Sequence, residues 1–291
     1  MSTPLAGGGP SARARIKGFL TTTALGRWIL VPYRLRNALS YFRRPLSMLL
    51  PWLFTSRELA NYTYDLTDRN ERYLASLVAL VTGVDPKIAA QYIAELHEDE
   101  ILRAHLRRLT FEDPRRHVAD AVPRYGRRAG WYAIVRARKP RVVVETGVDK
   151  GLGTCVLAAA LLRNATEGFP GSLTGTDINP EAGYLLQSPY NRVARILYGD
   201  SIESLRNLDA TVDVFINDSD HSAEYEAREY DIVAPKLAEG AVILGDNAHV
   251  TDSLHRFAMG TNRRFLFFKE EPKDHWFPGG GIGIAFDQGK G

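Results

Sequence analysis

Only one cysteine, Cys155, stands in 291 residues, so no disulfide can form within the chain. Packing must hold the fold instead. Also missing is any apolar run close to the roughly 20 residues that a bilayer-crossing helix needs. The N-terminus has no uninterrupted apolar stretch followed by a small-residue cleavage site, so it does not read as a secretion signal. These absences together point to a reducing, cytoplasmic setting. Acid is scarce in one place: Glu58 is the first acidic residue, preceded by nine Lys and Arg. Residues 1–58 therefore carry +8 against +3 for the whole chain, which leaves the remainder at −5. A total so close to neutral gives no sign of a nucleic-acid partner, but the basic end stands out.

What is there begins with Arg141 to Cys155, RVVVETGVDKGLGTC. Three β-branched valines suit a strand buried on both faces. The glycines that follow let the backbone turn tightly and approach a ligand, and Thr154 to Arg163 then has the pattern of a helix. The nicotinamide fingerprint G-x-G-x-x-G would need its glycines elsewhere; here Gly147, Gly151 and Gly153 follow Glu145 in the pattern E-x-G-x-x-x-G-x-G. Downstream, apolar strand-length runs end at Asp177, Asp200, Ile216 and Leu244. Arg264 to Lys269 and Gly281 to Phe286 form two last strands, joined by a loop too short for a crossover helix and so paired antiparallel.

The glycine pattern and the strands that follow it resemble class I S-adenosylmethionine-dependent methyltransferases. The resemblance covers roughly residues 124–287 and implies a Rossmann-like α/β sheet with a terminal antiparallel hairpin, carrying an N-terminal helical extension. It places Glu145, Thr146, Gly147, Gly151, Gly153 and Thr154 against S-adenosylmethionine, and Asp200 and Ser201 at its adenine. Asp177 stands where Rossmann-like folds put an acid for ribose hydroxyls, although Asp-Ile-Asn-Pro also reads as a helix N-cap. Trp131 and Tyr132, on the helix before the first strand, either border the cofactor or pack that helix on the sheet.

Two polar clusters follow strands, Asn217-Asp218-Ser219-Asp220-His221 and Asp246-Asn247-Ala248-His249. Strand ends gather at the carboxyl edge of an open α/β sheet, so both clusters should face the crevice at the glycine turn. Oxygen donors there suit Mg²⁺, with Asp218, Asp246 and Asn247 as candidate ligands. The competing reading makes these aspartates helix caps. D-S-D-H followed by D-N resembles metal-dependent O-methyltransferases, both the catechol type and the macrocin and mycinamicin sugar type. In the sugar type a histidine three residues beyond the first ligand acts as base, and His221 has that offset from Asp218. The catechol type has lysine there, which this chain lacks, so the resemblance implies a sugar hydroxyl as acceptor, with a phenolic hydroxyl as the alternative. Asp220 either orients His221 or replaces Asp218 on the metal.

Three regions result: a basic, aromatic-rich arm over 1–58, a helical cap over 59–123, and a cofactor-binding domain over 124–291. In the cap, Asp85-Pro86 has the order of an N-cap and first helical residue. The arm mixes arginines with large apolar residues between 11 and 54. It suits either a membrane interface or packing on protein, including a second copy of the chain.

Overall fold

The computed structural model describes residues 11–59, 61–246 and 248–287, and the chain divides into two units between Phe54 and Thr55. The first unit holds three helices, α1 (Ala12–Thr22), α2 (Ala24–Ile29) and α3 (Val31–Thr55). Ser11 and Thr23 cap the first two, accepting from the amides of Ala14 at 3.3 Å and Gly26 at 3.0 Å. Among residues 11–54 only Gly26 is buried. This unit has helices but no core of its own.

The second unit opens with α4 (Asp68–Thr82), α5 (Pro86–His97) and α6 (Glu100–Glu112). The expected cap of α5 is present, since Asp85 accepts from the Lys87 amide at 2.7 Å and Pro86 occupies the first turn. Helix α7 (Arg128–Arg138) then leads into the sheet. Every residue of α7 from Ala129 to Arg136 is buried, because α4 and α5 pack on its outer side.

Seven strands follow: β1 (Val142–Thr146), β2 (Ser172–Asp177), β3 (Ala194–Tyr198), β4 (Val212–Asn217), β5 (Leu237–Gly245), β6 (Arg264–Lys269) and β7 (Gly281–Phe286). They form one sheet in the order β3-β2-β1-β4-β5-β7-β6. The first five are mutually parallel, and β7 enters antiparallel between β5 and β6. The fold is thus a Rossmann-like α/β sheet with a terminal antiparallel hairpin, the arrangement that the resemblance drawn from the sequence implies. Helix α8 (Leu152–Thr166) joins α4 to α7 over one face, while α9 (Ser201–Arg206), α10 (Ala223–Val233) and α11 (Ser253–Gly260) cover the other. Valines 142–144 alternate between these two apolar layers, Val143 in one and Val144 in the other. Strand order reverses between β1 and β4, which opens a crevice at their carboxyl ends.

Trp131 and Tyr132 are fully buried and pack α7 on its neighbours. A Cβ on Gly153 would lie 2.8 Å from the Trp131 ring, so glycine there lets α8 seat against the indole.

Candidate functional site

A cavity of about 660 Å³ opens at that crevice, a size ordinary for a small-molecule site. One wall is the turn after β1. Gly147 has φ +84°, and a Cβ on it would stand 1.9 Å from the Asp218 carbonyl oxygen, so both its conformation and its closeness to the chain after β4 require glycine. Across the turn, the Asp177 carboxylate accepts from the amides of Val148 at 3.0 Å and Asp149 at 2.8 Å. Its second oxygen accepts from the Asn179 amide at 2.8 Å. No α-helix starts at Asp177; the residue instead ties the turn to β2 and keeps lone-pair capacity on the cavity side.

The adjoining wall is acidic. Asp218, after β4, and Asp246, after β5, lie close enough to hydrogen-bond to each other. Burial and the neighbouring Asp246 push Asp218 well above the usual carboxylate range. Burial also acts on Asp246, but Arg127 and Arg128 outweigh it and hold that carboxyl low. The two carboxyls therefore titrate as one unit, with Asp218 the member pushed up and Asp246 the member held down. Arg127, immediately before α7, grips both oxygens of Asp246 through Nε and Nη2, and its Nη1 reaches Glu270 at 3.3 Å. Arg128 stands 4.0 Å from Asp218. Glu270, buried at the end of β6, also accepts from the Arg127 amide and the Tyr64 hydroxyl, both at 2.8 Å.

Beneath both walls lies Glu229 of α10, which is fully buried. It accepts from Thr146 at 3.2 Å, Ser219 at 2.7 Å, Ser201 and Asn217. One side chain thus ties together the ends of β1 and β4 and the start of α9. Burial raises its pKa despite the four donors.

The expected site residues fall into two sets. Gly147, Asp177, Ser201, Asp218, Asp220, His221 and Asp246 all line the cavity. Glu145 does not: it is 1 % exposed, lies beneath the turn and accepts from the Thr154 hydroxyl at 2.6 Å. Thr146 and Thr154 are equally sealed, while Gly151 and Gly153 shape the turn from behind. Asp200 caps α9 through the Ile202 amide at 2.9 Å and accepts from Tyr225 at 2.6 Å, which leaves Ser201 and Tyr225 on the wall. Asp220 accepts from the Ser222 amide at 2.6 Å, so it braces the start of α10. Asn247 lies outside the described residues.

The expected Mg²⁺ can be tested against this donor set. Of its three ligands, Asp218 and Asp246 come together, but guanidinium nitrogens occupy both oxygens of Asp246. Among the described residues no group of three or more His, Cys, Asp and Glu is arranged to hold a metal. Among the described residues, Asp218 and Asp246 alone do not fit a hard cation that seeks six oxygens: the groups on Asp246 are positive charges. S-adenosylmethionine fits better, because the Gly147 cradle admits no side chain and Asp177 presents a carboxylate to the cavity.

Reading the sequence missed Arg127, Glu229 and the ring of Tyr225. The adjacent arginines at the mouth of α7 were a signal, because a buried helix entering the sheet rarely begins with unpaired cations. Nothing marked Glu229 apart from its position on the inward face of α10.

Residues 144–248 match a family described as a methyltransferase domain. No curated protein sequence matches the chain. Among solved structures, the chain is similar to the O-methyltransferase TomG from Streptomyces achromogenes, solved with SAM, at 18 % identity and a TM-score of 0.47 over 66 % of this chain and 91 % of that one. A methyltransferase from Geobacter sulfurreducens is 18 % identical with a TM-score of 0.48, over 70 % of this chain and 99 % of that one. An O-methyltransferase from Bacillus cereus, in complex with SAH, is 13 % identical with a TM-score of 0.43, over 74 % and 97 %.

Proposed function

We propose, from the methyltransferase domain that residues 144–248 carry, that this chain moves a methyl group from S-adenosylmethionine to a hydroxyl oxygen. The acceptor on this reading is a sugar hydroxyl of a glycan, glycolipid or glycosylated metabolite. The observation that carries it is the convergence of Gly147, Asp177 and Ser201 with Asp218, Asp220 and His221 on one cavity. Bound against the turn, S-adenosylmethionine supplies a methyl carbon already made electrophilic by the sulfonium. What remains for the protein is alignment and a place for the acceptor's proton.

His221 fills the second role. It is exposed at the cavity wall, where its imidazole takes the hydroxyl proton as oxygen bonds to the methyl carbon and that carbon's bond to sulfur breaks, leaving the pair on sulfur, worth about 10²–10⁴ in rate. Asp218 lines the cavity on the same wall, and the Arg127–Asp246 pair fixes that wall in place. The reading derives no step from Mg²⁺, because Arg127 already holds the carboxylate a metal would need.

A phenolic acceptor has one observation in its favour. Tyr62 and Phe277 line the same cavity with ring centroids 5.3 Å apart, a surface on which a flat ring stacks. Incubating the protein with methyl-labelled S-adenosylmethionine and separate pools of glycosides and phenols distinguishes the two. Label in glycosides, lost in His221→Ala while donor binding by calorimetry persists, is the expected result. Label confined to phenols overturns the sugar acceptor, and the absence of donor binding overturns the whole reading.

A further inference from the structure

We infer that residues 12–55 form an interfacial anchor that lies on an anionic lipid bilayer. Helix α3 runs for 25 residues, about 37 Å at 1.5 Å per residue. At its helical spacing Val31, Leu35, Leu39, Phe42, Leu46 and Leu53 fall on one face, and every one of them is between 41 % and 58 % exposed. Arg36 and Arg43 border that face, and Ser40, Ser47 and Arg44 occupy the opposite one. The helices before it add Trp28 at 71 % and Ile16 at 60 %. Soluble monomers rarely present so long a continuous apolar stripe to water.

Charge decides what covers it. Residues 1–57 contain nine Lys and Arg and no acid, so two copies of the stripe would bring like charges together. An anionic bilayer reverses that term: each arginine near its surface gains attraction while leucine and phenylalanine enter the acyl boundary. Among the described residues no single helix is long and apolar enough to cross a membrane, and the four arginines of α3 keep it in the interface plane.

The test uses the full chain in vesicle flotation. Phosphatidylcholine vesicles containing about one-third phosphatidylglycerol should bind it at least about tenfold better than phosphatidylcholine alone, and high salt should erase the difference. Combined Arg36→Gln, Arg43→Gln and Arg44→Gln should lower anionic binding about tenfold or more, and Leu39→Glu with Leu46→Glu should abolish it. These exposed positions lie outside the core of residues 55–291, so S-adenosylmethionine binding in the same variants reports intact folding. Equal binding to both vesicle types, or binding to neither, overturns the proposal. So does a concentration-dependent dimer in sedimentation that Leu46→Glu dissolves, since the stripe would then belong to a second copy.

Discussion

The two walls of the cavity are built by different means. The turn wall is held by backbone geometry: Gly147 at φ +84°, amides donated to Asp177, and Glu145 and Thr154 bonded out of reach beneath. The acid wall is held by side-chain charge, with Arg127 clamping Asp246 beside Asp218, whose carboxyl is pushed up by burial and by Asp246. Backbone-built walls tolerate almost no change of residue at their tightest point, whereas charge-built walls respond to what neutralises them. The acid wall is therefore where chemistry and regulation have room to vary.

The sharpest break in this comparison is Gly147→Val. The new Cβ would meet the Asp218 carbonyl, 1.9 Å from its ideal position, at a φ that β-branched residues avoid, so turn and acid walls are forced apart together. Loss of stability beyond about 4 kcal/mol, or insoluble protein, is expected. Calorimetric binding of S-adenosylmethionine at wild-type strength would show that the turn relaxes without cost, and the contrast would fail.

Next in size is Arg127→Met, which removes the cation from two buried carboxyls. Stranding Asp246 should cost about 3–5 kcal/mol in urea denaturation. A loss below about 1 kcal/mol would mean water or another cation already serves the pair, and the acid wall would not be charge-built at all.

These walls were not equally legible. The glycines, the strand after Arg141 and the terminal hairpin all followed from local rules, because a tight turn constrains residue type and strand patterns repeat every two residues. Asp218 and Asp246 were found because strand ends share one edge of the sheet. What occupies their oxygens was hidden: Arg127 reaches Asp246 from 119 positions away in sequence, and no periodicity encodes such a meeting. Glu145 shows the opposite limit, since a motif position gives the residue's place in the chain but not that its carboxyl lies beneath the turn, bonded to Thr154.

A smaller effect isolates the turn wall. Burial raises Glu145 to about 7 from 4.5, so the folded state holds a proton that the unfolded chain releases. Its stabilising contribution is complete below pH 4.5 and is lost as pH rises through about 7, a fall of about 3 kcal/mol across that window. Glu145→Gln keeps the shape without the titration and should flatten that part of the stability curve. An unchanged slope in urea midpoints between pH 4.5 and 7 would place the proton elsewhere and make Glu145 an ordinary anion.

The least expected change is also the most discriminating for the acid wall. Mn²⁺ reports by electron paramagnetic resonance on sites that would take Mg²⁺, and wild-type protein should leave it free up to the order of millimolar, because Arg127 already holds both oxygens of Asp246. Arg127→Met should then create a site at Asp218 and Asp246, visible as loss of the free-ion signal and reversed by Asp246→Asn in the same background. The readout needs no acceptor and no turnover. Tight Mn²⁺ uptake by the wild type would mean that the guanidinium yields to a metal, and the acid wall would then be a metal site with an arginine guarding it.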